Sequence, residues 1–148
     1  MLPSSHLQPW IRTFVTIDLT RLRNGTCPCL SGEQYQDCCG RFHSGNADAP
    51  TAEQLMRSRY SAFVVLDSDY LLDTWHADTR PAAMELDPDT EWRRLDIVST
   101  RNGGPLDTSG TVEFAAYFRS DGGRGVQHET SRFVRDGKRW YYVDGDVA

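Results

Sequence analysis

Long apolar runs are missing from this sequence. The longest, such as Ala62 to Leu66, fall far short of the roughly 20 residues that a membrane-spanning helix needs. The N-terminal stretch is also a poor match to a secretory leader. The opening MLPSSHLQPWIRTFVTIDLTRLR has no basic start, and Arg12 interrupts its one apolar run, Trp10 to Val15. Positive charge is not in excess: 16 basic against 21 acidic residues leave a net charge of -5 and weigh against a general nucleic-acid binder. Lysine is nearly absent, with Lys138 beside fifteen arginines, which fits a genome rich in guanine and cytosine and carries no function by itself. Nothing matches a nucleophile elbow, a phosphate-binding glycine loop or a catalytic zinc motif. Cysteine is scarce, with 4 in 148 residues. In the cytoplasm, the compartment expected for a chain without leader or span, so few thiols are read as metal ligands or reactive groups before disulfides.

What remains has ordinary globular composition, and the length suits one domain with a small appendage. Residues 24–46 are turn-rich and hold every cysteine. Pro50 then precedes Thr51, with Gln54 three residues on, a capping-box pattern that opens a helix. Leu55, Met56, Tyr60, Phe63, Val64 and Leu66 recur along its apolar face. Ser68 or Asp69 is expected to cap a second short helix carrying Tyr70, Leu71, Leu72 and Trp75, and a helical turn is allowed near Trp92. Strands follow: Leu95 to Thr100, Thr111 to Arg119, Val126 to Arg135 and Trp140 to Val143. Turn signals at Asn102-Gly103-Gly104-Pro105, Asp121-Gly122-Gly123 and Asp136-Gly137 separate them. Helices first and a hairpin-connected antiparallel sheet afterwards predict an α+β fold.

The chemistry concentrates in Cys27-Pro-Cys29-Leu-Ser-Gly-Glu-Gln-Tyr-Gln-Asp-Cys38-Cys39-Gly40-Arg-Phe-His43. Four thiolates complete the tetrahedral shell that zinc takes in structural sites, and Ser31-Gly32 supplies the turn that returns the second pair to the first. The segment is too short for a core of its own, so binding of Zn2+ would supply much of its folding free energy. Cys27, Cys29, Cys38 and Cys39 are the expected ligands. A regular strand cannot aim both Cys38 and Cys39 inward, whereas the first turn of a helix can. His43 is the alternative fourth ligand. Thiol redox chemistry and a disulfide-stapled loop are the competing readings, and Glu33 and Asp37 work against a lowered thiol pKa.

The run Cys-Pro-Cys-x-Ser-Gly-x-x-Tyr-x-x-Cys-Cys-Gly resembles the SEC-C zinc motif found at the C-terminus of the protein-export ATPase SecA. Leu55-Met56-Arg57-Ser58-Arg59-Tyr60-Ser61-Ala62-Phe63, Asp69-Tyr70-Leu71-Leu72, Thr74-Trp75-His76 and Arg139-Trp140-Tyr141-Tyr142-Val143-Asp144-Gly145 are similar to the YchJ family. Those are uncharacterised bacterial proteins with a SEC-C motif ahead of a domain like nuclear transport factor 2. The resemblance implies a small zinc knuckle over 24–46 and, over 50–146, a cone of helices packed on a curved antiparallel sheet with a cavity between them. Two departures stand out. Leu30 replaces the motif's common glycine, so a left-handed turn is not expected there. Cys39 replaces the SecA histidine, and the acidic Glu33 and Asp37 remove the charge complementarity a SecB-like partner would use.

A cavity in such a domain would be lined by Tyr60, Tyr70, Trp75, His76 and His128, with Asp69, Glu129 and Asp144 as further polar candidates. His128 and Glu129 are adjacent on a strand and face opposite sides, so at most one enters it. A helix-end position would explain His76 through the dipole. Arg57 and Arg59 fit an ion-paired or solvated helix face. The expected function is a zinc-binding module for a protein partner or a ligand, docking through the knuckle. The α+β domain is a candidate for homodimerisation, and neither membrane nor nucleic acid is an expected partner. A small-molecule enzyme using the cavity is the first alternative, and a thiol redox sensor the second. Residues 1–23 lie outside the resemblance. Either translation starts later, at Val15, or a real extension packs Trp10, Ile11, Phe14 and Ile17 on the domain. Recovery of a native peptide spanning Leu2 to Arg12 by mass spectrometry would select the extension.

Overall fold

The computed structural model describes residues 17–148. Trp10, Ile11 and Phe14 lie outside this range, while Ile17 is partly buried against the core. Among the described residues, three α-helices precede the sheet: α1 (Cys39–His43), α2 (Ala52–Val64) and α3 (Ser68–Asp73). Four strands follow, β1 (Glu91–Asn102), β2 (Ser109–Ser120), β3 (Gly123–Asp136) and β4 (Arg139–Val147), in an antiparallel sheet of order β1-β2-β3-β4. Each strand pairs with its sequence neighbour, as short hairpin connections dictate. Register shifts at Trp92/Arg94, Ile97/Ser99 and Arg132/Phe133 bend the strands, because a bulge adds local twist.

Helix α2 begins where its cap predicts: the Gln54 N–H donates to Thr51 Oγ1 at 3.1 Å. Thr51→Ala removes an acceptor for an orphan helix donor. It is expected to lower the unfolding free energy by about 1 kcal/mol in a urea titration, without changing the slope of the transition.

Leu66 does not continue that helix. It takes a positive φ of 62°, and Asp67 rather than Ser68 or Asp69 caps α3, accepting the Tyr70 N–H at 3.1 Å. An N-cap oxygen must reach the third residue onward, and only Asp67 stands at that distance from Tyr70. Trp75 lies beyond α3, where the chain runs beside β4: His76 N–H donates to the Tyr142 carbonyl at 2.7 Å, and Tyr142 N–H to that of Thr74 at 2.8 Å. Trp92 is a strand residue opposite Phe118, not part of a helical turn. Its ring fills the space between Tyr60, Phe63 and Phe118, a long-range contact that overrides local propensity.

Leu55 from α2, Val65 just beyond it, Leu71 from α3 and Val112 and Phe133 from the sheet are almost wholly buried. The core therefore lies between the helices and one face of the sheet. Among the described residues, no helix is long and apolar enough to cross a membrane.

Candidate metal centre

Two turns fold the cysteine segment onto itself. Thr26 and Gln34 form an antiparallel bridge, the Cys27 N–H donates to the Glu33 carbonyl at 2.9 Å, and Gly32 takes a φ of +89° inside the loop. Leu30 also turns left-handed, at φ +68°, contrary to the expectation drawn from its side chain. Such a residue costs about 1–2 kcal/mol, and here the Leu30 N–H closes a tight turn on the Cys27 carbonyl at 3.2 Å. The chain then makes a 3₁₀ turn, Tyr35–Asp37, and enters α1 with Cys38 as its N-cap residue. Helix initiation is thus what aims two adjacent thiols at the first pair.

The ligand atoms of Cys27, Cys29, Cys38 and Cys39 all lie within 4.8 Å of one another, and Cys29 Sγ is 3.6 Å from Cys38 Sγ. Zinc–sulfur bonds of about 2.3 Å in a tetrahedron separate their sulfurs by about 3.8 Å. The Cys29–Cys38 separation therefore matches the edge of such a shell, the four sulfurs lie close enough together to share one ion, and none is in a disulfide. Cys27, Cys29 and Cys39 are buried and Cys38 partly so. The thiols share their protons unevenly. Hydrogen bonds with Cys29 and Cys39 pull Cys27 down to about 3, against burial, whereas hydrogen bonds with Cys27 and Cys29, together with burial, push Cys39 up.

His43 lies outside this cluster. Its Nε2 is 2.8 Å from the Ser58 carbonyl, which can only accept, so Nε2 carries the proton and Nδ1 accepts from the Tyr35 hydroxyl at 2.6 Å. Burial holds the imidazole below its usual pKa, opposed by the Ser58 carbonyl and by the charge of Asp67. The sign follows. Below about pH 6.5 the unfolded chain gains a proton that the fold resists, so the stability contributed by neutral His43 is complete above that pH and lost as pH falls. The difference in unfolding free energy between wild type and His43→Gln is expected to shrink as pH is lowered from about 7.5 to about 5.5. A difference independent of pH would contradict a buried neutral imidazole.

The knuckle is packed against α2 as well as tethered to it. Arg57 Nη1 donates to the Cys29 carbonyl at 2.8 Å, Cys27 Sγ meets Ser61 Oγ at 3.6 Å, and His43 reaches Ser58. Positions 57, 58 and 61 share one helix face. Ser58 passes the contact on, its hydroxyl lying 2.6 Å from that of Tyr70 on α3.

Two family models match this arrangement, the SEC-C motif over residues 23–41 and the YchJ middle NTF2-like domain over residues 51–145. The chain belongs to the YchJ family. A UPF0225 protein of Streptomyces coelicolor is 53% identical over 120 residues, spanning 81% of this chain and 94% of its own length. One from Bordetella pertussis is 52% identical over 124 residues, 82% of this chain and 92% of its own. The solution structure of a SEC-C motif containing protein from Rhodopseudomonas palustris superposes with a TM-score of 0.71 at 33% identity, covering 82% of this chain and 98% of that one. A crystal structure of a SEC-C motif containing protein from Psychrobacter arcticus gives 0.66 at 32%, covering 82% of each chain.

Within the YchJ-type domain, Trp75 and His76 of the five residues expected around a cavity line one depression with Arg80, Arg139 and Tyr141, and Tyr60, Tyr70 and His128 lie elsewhere. Tyr60 packs edge-on against Trp92, while Tyr70 hydrogen-bonds Ser58 beneath His43. His76 sits three residues past the end of α3, in a turn where its Nδ1 accepts the Asp78 N–H at 3.1 Å, so the helix-end account does not apply. His128 faces away from the core and pairs with Glu113 at 2.6 Å. Glu129 takes the opposite side, as strand alternation requires, and is buried. Asp144 is an exposed partner of Arg132.

The interior instead holds a polar cluster around Arg59. This side chain is neither solvated nor on an ion-paired face; only 4% of its surface is exposed. Nη1 donates to the Leu71 carbonyl at 2.8 Å and to Thr74 Oγ1 at 2.7 Å, and the guanidinium stacks on Trp75 and Tyr142. Burial lowers its pKa to about 10, opposed by Tyr142, Tyr70 and Glu129. Glu129 accepts from Ser131 at 2.7 Å and from the Tyr142 hydroxyl at 3.2 Å, its carboxylate lying where any side chain at Gly145 would have to go. Among the described residues, Trp75 Nε1 is the buried side-chain donor left without a partner.

Proposed function

We propose that this YchJ-family chain is a cytoplasmic zinc-binding interaction protein, in which Cys27, Cys29, Cys38 and Cys39 hold the ion in a structural site. The observation that carries the reading is the mutual approach of four sulfurs within 4.8 Å. A closed four-thiolate shell leaves no position for water, so the ion would supply folding free energy and no hydrolytic chemistry. Its product is a rigid loop. The tip, Leu30, is 58% exposed, with Arg21, Arg23 and Arg93 around the depression it lines and the exposed Glu33 and Asp37 following it in the chain. A protein partner presenting an apolar pocket with charge of both signs at its edges complements it.

The test is a pull-down comparing wild type, Cys27→Ser and Leu30→Asp. A partner bound by wild type and lost with both variants, while Leu30→Asp keeps its metal, supports docking on the knuckle. Equal capture by all three removes it. Reversible oxidation of Cys38 and Cys39 in protein that never held zinc would favour a redox sensor. A metabolite retained in native mass spectrometry would favour an enzyme.

A further inference from the structure

Beyond α3 the chain lies beside β4, where Trp75 forms a parallel bridge with Tyr142. Both of these rings turn inward onto the Arg59 guanidinium. Their sequence neighbours His76 and Tyr141 then face the other way, because side chains alternate along extended backbone. The two rings meet edge-on there, with centroids 6.0 Å apart. Arg139, two residues before Tyr141, shares its side of the strand, and its guanidinium lies 5.4 Å from the Tyr141 centroid. Asp136 is the direct cross-strand partner of Arg139 and so stands on the same side. With Arg80, from the turn after His76, these groups line one depression of about 420 Å³.

Packing leaves several of them unused. His76 Nδ1 accepts the Asp78 N–H, so the neutral ring carries its proton on Nε2. Among the described residues, Nε2 has no hydrogen-bond partner, no carboxylate pairs with Arg80 and no cation pairs with Asp136. Arg139 does not neutralise Asp136, because it turns over Tyr141 and pairs with Asp48 at 3.3 Å. Donors therefore stand at one end, where the Arg80 N–H holds its turn to the His76 carbonyl at 2.9 Å, and a carboxylate stands at the other. Among the described residues, the cysteines alone cluster as metal ligands, so His76 and Asp136 do not make a cation site. A phosphate would suit Arg80 and His76 but would be repelled by Asp136. A small body with one charge of each sign satisfies both ends, and the volume falls within the range of small-ligand sites.

We propose that this depression binds a free α-amino acid, its carboxylate held by Arg80 and His76 Nε2 and its ammonium by Asp136. No cysteine lines it, so this site stands or falls apart from the zinc reading.

NMR titration of the full chain with alanine, propionate, ethylamine and inorganic phosphate tests the proposal. Saturable shifts of the His76 and Tyr141 signals are expected with alanine. Alanine should bind at least about ten-fold tighter than propionate or ethylamine, since each of these lacks one charged contact. Arg80→Gln and Asp136→Asn should each weaken alanine binding by about ten-fold. Asp136→Asn should also erase the preference for alanine over propionate, and Arg80→Gln the preference over ethylamine. Both positions are exposed, and Asn-Gly suits the same turn as Asp-Gly, so both variants should melt as wild type does. Arg101→Gln, an exposed change on β1, should bind alanine as wild type does. No saturable shift with alanine, phosphate or propionate binding as tightly as alanine, or unchanged affinity in either site variant would overturn the proposal.

Discussion

Cys39→Ser is expected to lose the bound ion and to unfold residues 24–46 while the sheet persists. The reason is the small size of the knuckle's own core. Besides the sulfurs it buries Tyr35, with Leu22 partly covering it, far too little apolar surface to fix a loop of this length. Cys39 is 1% exposed, opens α1 and contacts Cys27 and Cys29. A serine there is a poor zinc ligand and adds a buried hydroxyl. We expect a loss of at least about 3 kcal/mol, at the severe end for single substitutions, against no more than about 0.5 kcal/mol for the exposed control Asp37→Ala. Chelation of wild-type protein should reproduce the change. Amide exchange checks it: protection should vanish across Cys27 to His43 and remain in β2 and β3. Because Arg57, Ser58 and Ser61 hold the knuckle to α2, some protection should also be lost along that helix face.

The second large effect belongs to Arg59. Arg59→Ala leaves the Leu71 carbonyl and the Thr74 hydroxyl without their shared donor, removes the cation packed on Trp75 and Tyr142, and deprives buried Glu129 of a nearby positive charge. Removing one member of a buried charged network costs about 3–5 kcal/mol, because the remaining groups stay desolvated. Arg59→Met refills much of the volume without the donors and is expected to fall between alanine and wild type. Urea unfolding of the three proteins orders them. If methionine and wild type proved equally stable, the guanidinium would be acting through volume alone.

These two sites were not equally legible. The metal centre is local: four thiols within thirteen residues, a Ser-Gly turn, and two adjacent cysteines that only a helix start can aim together. Sequence spacing therefore implies nearly all of its geometry. The Leu30 conformation was the exception, because a leucine advertises no left-handed turn. The Arg59 cluster is assembled from α2, α3, the chain beyond it, β3 and β4, and its members look unremarkable one at a time. An arginine on an amphipathic helix is ordinarily solvated, and nothing near position 59 announces that Tyr142 and Trp75 will close over it. The strands were readable from alternation and turn residues, but Trp92 was not, since its strand assignment rests on Phe118 and on rings from α2.

Metal analysis of protein purified without added zinc, with the thiols counted in the same sample, tests the central claim most directly. The account predicts about one zinc ion per chain and four thiols that react only after denaturation or chelation. Freshly isolated, folded protein with no zinc above background, or with its cysteines reacting freely while the knuckle stays ordered, would contradict it.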